Sequence, residues 1–509
     1  MMNRKIALIP IDARPVTREL PKQIAKIGGW EVLLPEKEML GFLKRPGNIK
    51  SLSEWLLKVA PQVDGFVLST DMLAYGGLVP SRINTEELQV ILKRLELILH
   101  LKKTYPEKPI MAFSATMRIS NNYVNEEEKE YWKDYGEEIW QYSYHTHRFV
   151  RTECEDSKTT VERLSAVIPT NILQDYLQTR ERNFQVNLSL LDQVENGTLD
   201  VLVFPQDDTS EYGLNIEEQE RLTDYVRKRQ LSSKVFIYPG ADEVANTLIS
   251  RLIYTLENVE PPSFFPFYSG ETGSHVHAMY EDRPICESVK GQIYAFGSYT
   301  VDNASDADIV FAVNVPGKRQ GDLALQKFLG EVDTSHRNIG EWISRILHYV
   351  KRKKLVGIAD VAYANGADPS MLPSLLDKVN LSTLCGFGAW NTAGNTLGTV
   401  VAQSAMVYLQ KAKPSVPFED VQARMEQQMV LRLLDDYLYQ TIVRQQVRKA
   451  VKTDTISDET LLQEVTARFH EEAKVFLEKY SLTYEINDIY LPWNRTFEIG
   501  ICLEEKGAN

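Results

Sequence analysis

The chain has 509 residues, 43% apolar and 25% charged, the mix of a folded globular protein and too long for one small domain. Lys and Arg number 57 against 70 Asp and Glu, a formal net charge of −13. That balance excludes a broad cationic footprint for nucleic acid and disfavours an anionic membrane surface, and no apolar run reaches the roughly 18 residues that a spanning helix needs.

Met1-Met2-Asn3-Arg4-Lys5 leads straight into Ile6-Ala7-Leu8-Ile9-Pro10. This start lacks the longer apolar run and small-residue cleavage site of a signal peptide, and reads as a first buried strand. The four cysteines, Cys154, Cys286, Cys385 and Cys502, are far apart and make no C-x-x-C pair. Unpaired cysteines of this kind fit a reducing compartment, so a cytoplasmic location is expected.

Short apolar runs lie at 5–11, 31–34, 65–69, 110–114, 201–204, 235–238, 264–268, 309–313, 355–358 and 385–389. Most are solidly apolar, as in strands buried on both faces. Helical patterns separate them, for example 85–103, 216–228 and 242–256. The alternation predicts an α/β fold with a mostly parallel sheet. Its expected form is a (β/α)8-type barrel over residues 1–412, and the alternative is two doubly wound α/β domains. A charged, aromatic stretch at 123–198 reads as a helical insertion, and a Gly-, Ser- and His-rich stretch at 270–300 as a loop-rich excursion. After Lys413-Pro414-Ser415-Val416-Pro417 the pattern changes to a helical C-terminal region, 413–509, ending in a short β-hairpin. Its apolar helix faces are expected to pack on the barrel or on a second subunit, which leaves a homo-oligomer open.

Sites in such folds form at the C-terminal ends of strands. Here those ends carry Asp12 and Arg14; Asp71 and Tyr75; Arg118 and Asn121; Asp207, Asp208 and Tyr212; Asp360; and Trp390 and Asn391. Any one of these can be a turn residue or a helix cap. Together they are the inventory of a carbohydrate pocket: hydroxyls need donors and acceptors, and a sugar ring needs an aromatic face. The adjacent pair Asp207-Asp208 stands out. Two carboxyls brought together repel, so their pKa values split, and one can hold a proton while the other stays ionised. Neighbouring strand residues point to opposite faces, so both can serve one site only if the backbone turns there.

The Asp207-Asp208 dipeptide resembles that of the O-GlcNAcase-like retaining N-acetyl-hexosaminidases, where an Asp-Asp pair follows the fourth strand of a (β/α)8 barrel. The resemblance implies a small carbohydrate substrate and no cofactor. It implies that Asp207 holds and polarises the 2-acetamido group, which attacks the anomeric carbon, and that Asp208 is the acid/base. Arg14, Asp71, Tyr75, Arg118, Asn121, Tyr212, Trp390 and Asn391 are then candidate substrate contacts. A second resemblance rests on the segment from Asp71 through Tyr75-Gly76-Gly77 to Arg82. It also rests on Gln206-Asp207-Asp208-Thr209, Tyr238-Pro239-Gly240-Ala241-Asp242-Glu243 and Trp390-Asn391-Thr392-Ala393-Gly394-Asn395. These motifs are similar to a bacterial domain-of-unknown-function family, number four-one-two-seven. That likeness implies a bacterial cytoplasmic protein, with a link to sugar catabolism.

Other chemistry is weighed against these. Asp12, Asp71, Asp207, Asp208 and Asp360 can together suggest a metal-dependent hydrolase, but no H-E-x-x-H spacing supports a metal site. His145-Thr146-His147 falls in a helical context, where the two rings diverge. His275-Val276-His277 lies in the Gly- and Ser-rich stretch and can touch substrate or metal. No P-loop, G-x-G-x-x-G or G-x-S-x-G motif is present. Tyr131, Trp132, Tyr135, Trp140, Tyr142 and Tyr144 read as a satellite core of the insertion or a lid. A non-catalytic sugar or metabolite binder remains the alternative to an enzyme.

Overall fold

The computed structural model describes residues 4–452 and 456–506. They divide into two compact units. Unit one takes in the chain up to Ala13, Glu31–Leu248 and Tyr280–Asp282; unit two takes in Arg14–Trp30, Ile249–Met279 and the chain from Arg283 onward.

Unit one is built on β1 (Lys5–Ile9), β2 (Glu31–Leu33), β3 (Gly65–Ser69), β4 (Ile110–Phe113), β5 (Val201–Gln206) and β6 (Val235–Pro239). These form one parallel sheet in the order β2-β1-β3-β4-β5-β6. Every residue of β3, β4 and β5 is buried, which is why these strands read as unbroken apolar runs. The helix Leu88–Thr104 presents Ile91, Leu95, Ile98 and Leu101 to the core at helical spacing. The expected helical insertion is present as Trp132–Thr152, Glu155–Val167 and Thr170–Glu195. The last of these serves two cores. Phe184, Leu190, Leu191 and Val194 join the main one, whereas Tyr176 joins Trp132, Ile139 and Leu164 in a satellite. Tyr131, Tyr135, Trp140 and Tyr142 pack against that satellite, the packing role of the two expected for this aromatic group.

Unit two contains β7 (Phe264–Tyr268), β8 (Ile309–Asn314), β9 (Gly321–Asp322), β10 (Leu355–Asp360), β11 (Tyr363–Ala364) and β12 (Gly386–Gly388). Four of them form a second parallel sheet, ordered β12-β10-β8-β7, and the short β9 and β11 pair with each other. The long helix Ala393–Ala412 is buried over most of its length. Gly357 and Gly386 let it lie close to the sheet, because an added Cβ would stand 2.5 and 3.0 Å from Ser404 Oγ. The early helix Pro15–Ile27 packs on this late one, and Gln410 Nε2 donates to Gly28 O at 2.9 Å. Helix Phe418–Arg432 runs into a π-helical stretch, Leu433–Val443, and then into Arg444–Ala450. Helix Asp458–Lys479 and an antiparallel hairpin of β13 (Tyr484–Tyr490) and β14 (Gly500–Glu505) follow.

Three expectations need correction. The parallel strands fall into sheets of six and four, and no closed eight-stranded barrel is formed among the described residues. The cause lies at β1, which has β2 on one side and β3 on the other. A barrel adds each strand on the same side as the last, and this reversal breaks that rule. The 270–300 stretch is also less loop-like than expected, since Ile285–Phe296 is a helix with Ile285, Val289, Ile293 and Phe296 buried. The change of pattern at 413–417 is a turn between two helices of unit two, so the units do not divide at 412.

Gly76 closes the helix Thr70–Tyr75 at φ +87°, and its N–H donates to Met72 O at 3.0 Å. A Cβ there would stand 2.7 Å from Pro46 Cβ and 2.8 Å from Gly47 N. Gly76→Ala is therefore expected to cost about 1–3 kcal/mol of stability, seen as a lower urea midpoint. An unchanged midpoint would show that the turn tolerates a side chain.

Candidate functional site

In unit one, the chain turns sharply at the ends of β3 and β5. Ser69 Oγ accepts from Met72 N at 3.2 Å and starts the helix Thr70–Tyr75, which sets Asp71 in its first turn. Asp71 is buried, and its Oδ2 accepts from Ala115 N at 2.9 Å, just past β4. Burial is the main reason its pKa is raised to about 7, and the Ala115 N–H and the Arg82 charge only partly offset it.

Past β5, Asp208 has φ +35°, a left-handed backbone that few side chains adopt. This is the turn that two facing neighbours require. The loop is held there by Thr209, whose N and Oγ1 donate to Tyr280 O at 2.8 and 3.1 Å. Both acids reach one ion-pair cluster. Asp207 is paired with Arg82. Asp208 Oδ2 accepts from Arg118 Nη1 at 3.3 Å. Glu127 Oε2 bridges the two arginines, 3.0 Å from Arg82 Nη1 and 3.2 Å from Arg118 Nη2. Glu128 Oε1 accepts from Arg118 Nε and from Ser120 Oγ, each at 3.1 Å.

The cluster is graded from inside to outside. The Arg82 side chain is 1% exposed and that of Asp208 is 32% exposed. Two guanidiniums face four carboxyls, so full ionisation would leave two excess negative charges in a mostly buried volume. Asp208 absorbs part of that excess. Desolvation raises its pKa to about 7, Arg118 pulls it down, and Asp207 pushes it up. Burial works against a charged Arg118, but Glu127, Asp207, Asp208 and Glu128 outweigh it and hold its pKa well above the ordinary value.

The structure brings Asp71, Arg118, Asp207 and Asp208 into this neighbourhood. The predicted contacts differ in what surrounds them. Arg118 is taken up by three carboxylates and acts on Asp208. Tyr75 is buried with Arg182 5.4 Å from its ring centroid. Asn121 is exposed. Tyr212 packs edge-on against Tyr144 and His147. Arg14, Trp390 and Asn391 belong to unit two. There Arg14 is buried, 3.4 Å from Glu498 and 4.5 Å from the Trp493 ring centroid, so its charge is used structurally. His147 is buried too, and its Nδ1 accepts from Gly213 N at 3.2 Å. Among the described residues no three His, Cys, Asp or Glu side chains are placed to hold one metal ion. Asp360, one of the acids considered as a metal ligand, accepts from the backbone N–H groups of Ala362 and Asp368 in unit two.

Sequence reasoning missed Arg82, Glu127 and Glu128. Arg82 closes the segment that begins at Asp71, and its burial is invisible in the sequence. Glu127 and Glu128 stand in a run of three glutamates that reads as a solvated surface.

The model of the family described as "Protein of unknown function (DUF4127)" matches residues 6–502. The chain belongs to this family. No significant match was found among curated proteins or among solved structures. The motifs that carried the DUF4127 resemblance include Asp71 to Arg82 and Gln206 to Thr209, the two segments that meet in the cluster.

Asp71 offers a test of the cluster's electrostatics. Unfolded, it ionises near pH 4; folded, it keeps its proton up to about pH 7. Between those values the folded state binds the extra proton, so stability falls as pH rises and is level above pH 7. Asp71→Asn removes this dependence. The stability of the wild type relative to Asp71→Asn, from urea midpoints, is expected to shrink steadily from pH 4.5 to 7 and then stay constant. A difference independent of pH would mean that Asp71 titrates as an ordinary carboxyl.

Proposed function

We propose that the chain is a glycoside hydrolase, a retaining, substrate-assisted exo-N-acetyl-hexosaminidase acting on short glycans, with Asp208 as the acid/base. One observation carries this reading. Two neighbouring carboxyls are held by different arginines, and the more open one, Asp208, is raised to about 7. That is the pKa needed to give and take a proton near neutral pH. Asp207 is paired with Arg82, and its carboxyl oxygens are suited to accept the acetamido N–H.

In this reading the acetamido oxygen attacks the anomeric carbon and forms an oxazoline. The bond to the leaving oxygen breaks, and Asp208 transfers its proton to that oxygen. Asp208, now a carboxylate, takes a proton from water. The water oxygen bonds to the anomeric carbon, the oxazoline opens, and the configuration is retained. Such substrate assistance departs from the common scheme with an enzyme nucleophile. Support comes from the chemistry of the pair and not from the fold, because the strands do not close into the barrel of the hexosaminidases that the dipeptide resembles. Arg118 has a positioning role, since its charge favours the ionised Asp208 after proton transfer. The reading needs no cofactor, and a small glycan substrate and a cytoplasmic location go with it. The metal-dependent alternative receives less support, because guanidiniums provide the positive charge beside Asp207 and Asp208.

Aryl N-acetyl-hexosaminides test it. Asp208→Asn is expected to abolish turnover of substrates with poor leaving groups and to spare activated aryl substrates, which need little protonation. Equal losses on both classes would remove Asp208 as the acid. Absence of turnover by the wild type across both N-acetyl-hexosaminide series would overturn the assignment.

A further inference from the structure

Arg444 begins the helix that follows the π-helical stretch of unit two, and its backbone N–H donates to Tyr439 O, five residues back. Its side chain is wholly buried. A guanidinium carries five N–H donors. Here Nη2 donates to Asn365 O at 2.6 Å, while Nε and Nη1 meet no acceptor. Asn365 has an unmet need of its own, because its Oδ1 is buried and accepts no hydrogen bond. It directly follows β11 with φ +62°, and its N–H donates to Asn391 O beyond β12 at 2.8 Å. Unpaired donors and an unpaired acceptor thus lie at the C-terminal edge of the second sheet.

Other buried arginines of this unit are matched. Arg337 Nη2 meets Asp368 at 2.7 Å, and Arg432 meets Asp435 and Asp436, each at 3.0 Å. Arg444 makes no ion pair among the described residues. The acids that influence it most, Asp322 and Asp435, act through space. Asp322 accepts from Asn365 Nδ2 at 3.1 Å, and Asp435 from Arg432 and Gln440, each at 3.0 Å. Burial and the nearby Arg448 lower the Arg444 pKa to about 10, which still leaves it charged at neutral pH. A buried charge without an ion-pair partner is costly, so a counter-ion has a large advantage here.

We infer that Arg444 and Asn365 form a binding site for a phosphate group: the unused N–H groups of Arg444 donate to its anionic oxygens, and Asn365 Oδ1 accepts from its hydroxyl. Inorganic phosphate in its protonated forms has both features. So does a phosphomonoester, either through its own P–OH or through a neighbouring hydroxyl. The inference is independent of the hydrolase reading, because no residue of the Asp208 cluster takes part.

Calorimetric titration of the full chain with inorganic phosphate, and separately with glycerol 3-phosphate, tests it at ionic strength fixed by sodium chloride. The wild type is expected to bind phosphate saturably. Arg444→Met should weaken binding by about tenfold or more, as loss of charge-assisted hydrogen bonds implies. In phosphate-free buffer Arg444→Met should melt higher than the wild type, and added phosphate should raise the melting point of the wild type alone. Tighter binding of glycerol 3-phosphate would identify the group as part of a metabolite, and equal or weaker binding would identify free phosphate. If Arg444→Met does not fold, Arg444→Lys decides: it keeps the charge with fewer donors, and weaker binding supports the site. No binding by the wild type, or undiminished binding by the variant that folds, overturns the inference and leaves buried water as the occupant.

Discussion

A buried guanidinium draws carboxylates to it, and in unit one Arg82 sets the arrangement of everything around the end of β5. It pairs with Asp207 and Glu127 and stands 3.9 Å from Glu128. These partners come from chain segments 45 to 125 residues away. Arg118 repeats the pattern one step nearer the solvent. Burial first, and then the neighbouring Asp207, favour a proton on Asp208 at the open edge of the cluster. Geometry and protonation therefore have one origin, carboxyls gathered at low solvent exposure.

Much of the local structure was legible because it depends on short-range pattern. Each of the ten apolar runs is a strand, and the charged stretch after β4 is helical. What was not legible depends on partners far away in sequence. Nothing in residues 5–11 says that β1 takes β2 on one side and β3 on the other, and that one reversal separates the observed sheets from a barrel. The two-residue strands β9 and β11 exist only through each other. Asp207-Asp208 could be picked out as a pair, but its convergence depended on a left-handed backbone at Asp208 that its residue type does not require. Arg82 reads as an ordinary helix residue in the sequence, and its burial shows only in the fold.

The second sheet uses similar residue types to a different end. Asp360, also raised to about 7 by burial and by Asp368, accepts from Asn314 Nδ2 at 2.9 Å and from two backbone N–H groups. Asp368 caps Ser370 and Met371 and holds Arg337. Asp436 ties Ala389 N to the π-helical stretch at 2.7 Å. With so many donors and acceptors paired, this network works as a clamp that fixes loops to the sheet edge. Perturbed aspartates thus occur in both units, and they differ in solvent access and in how fully their hydrogen bonding is satisfied.

The path of the chain has a consequence for biosynthesis. Helix Pro15–Ile27 is made nearly four hundred residues before the helix it packs on, Ala393–Ala412. Its apolar side must wait until that later helix has been made. All segments of unit one precede residue 283, whereas unit two needs both the early helix and the late one, so a nascent chain stalled before residue 393 should remain open to proteases at Pro15–Ile27.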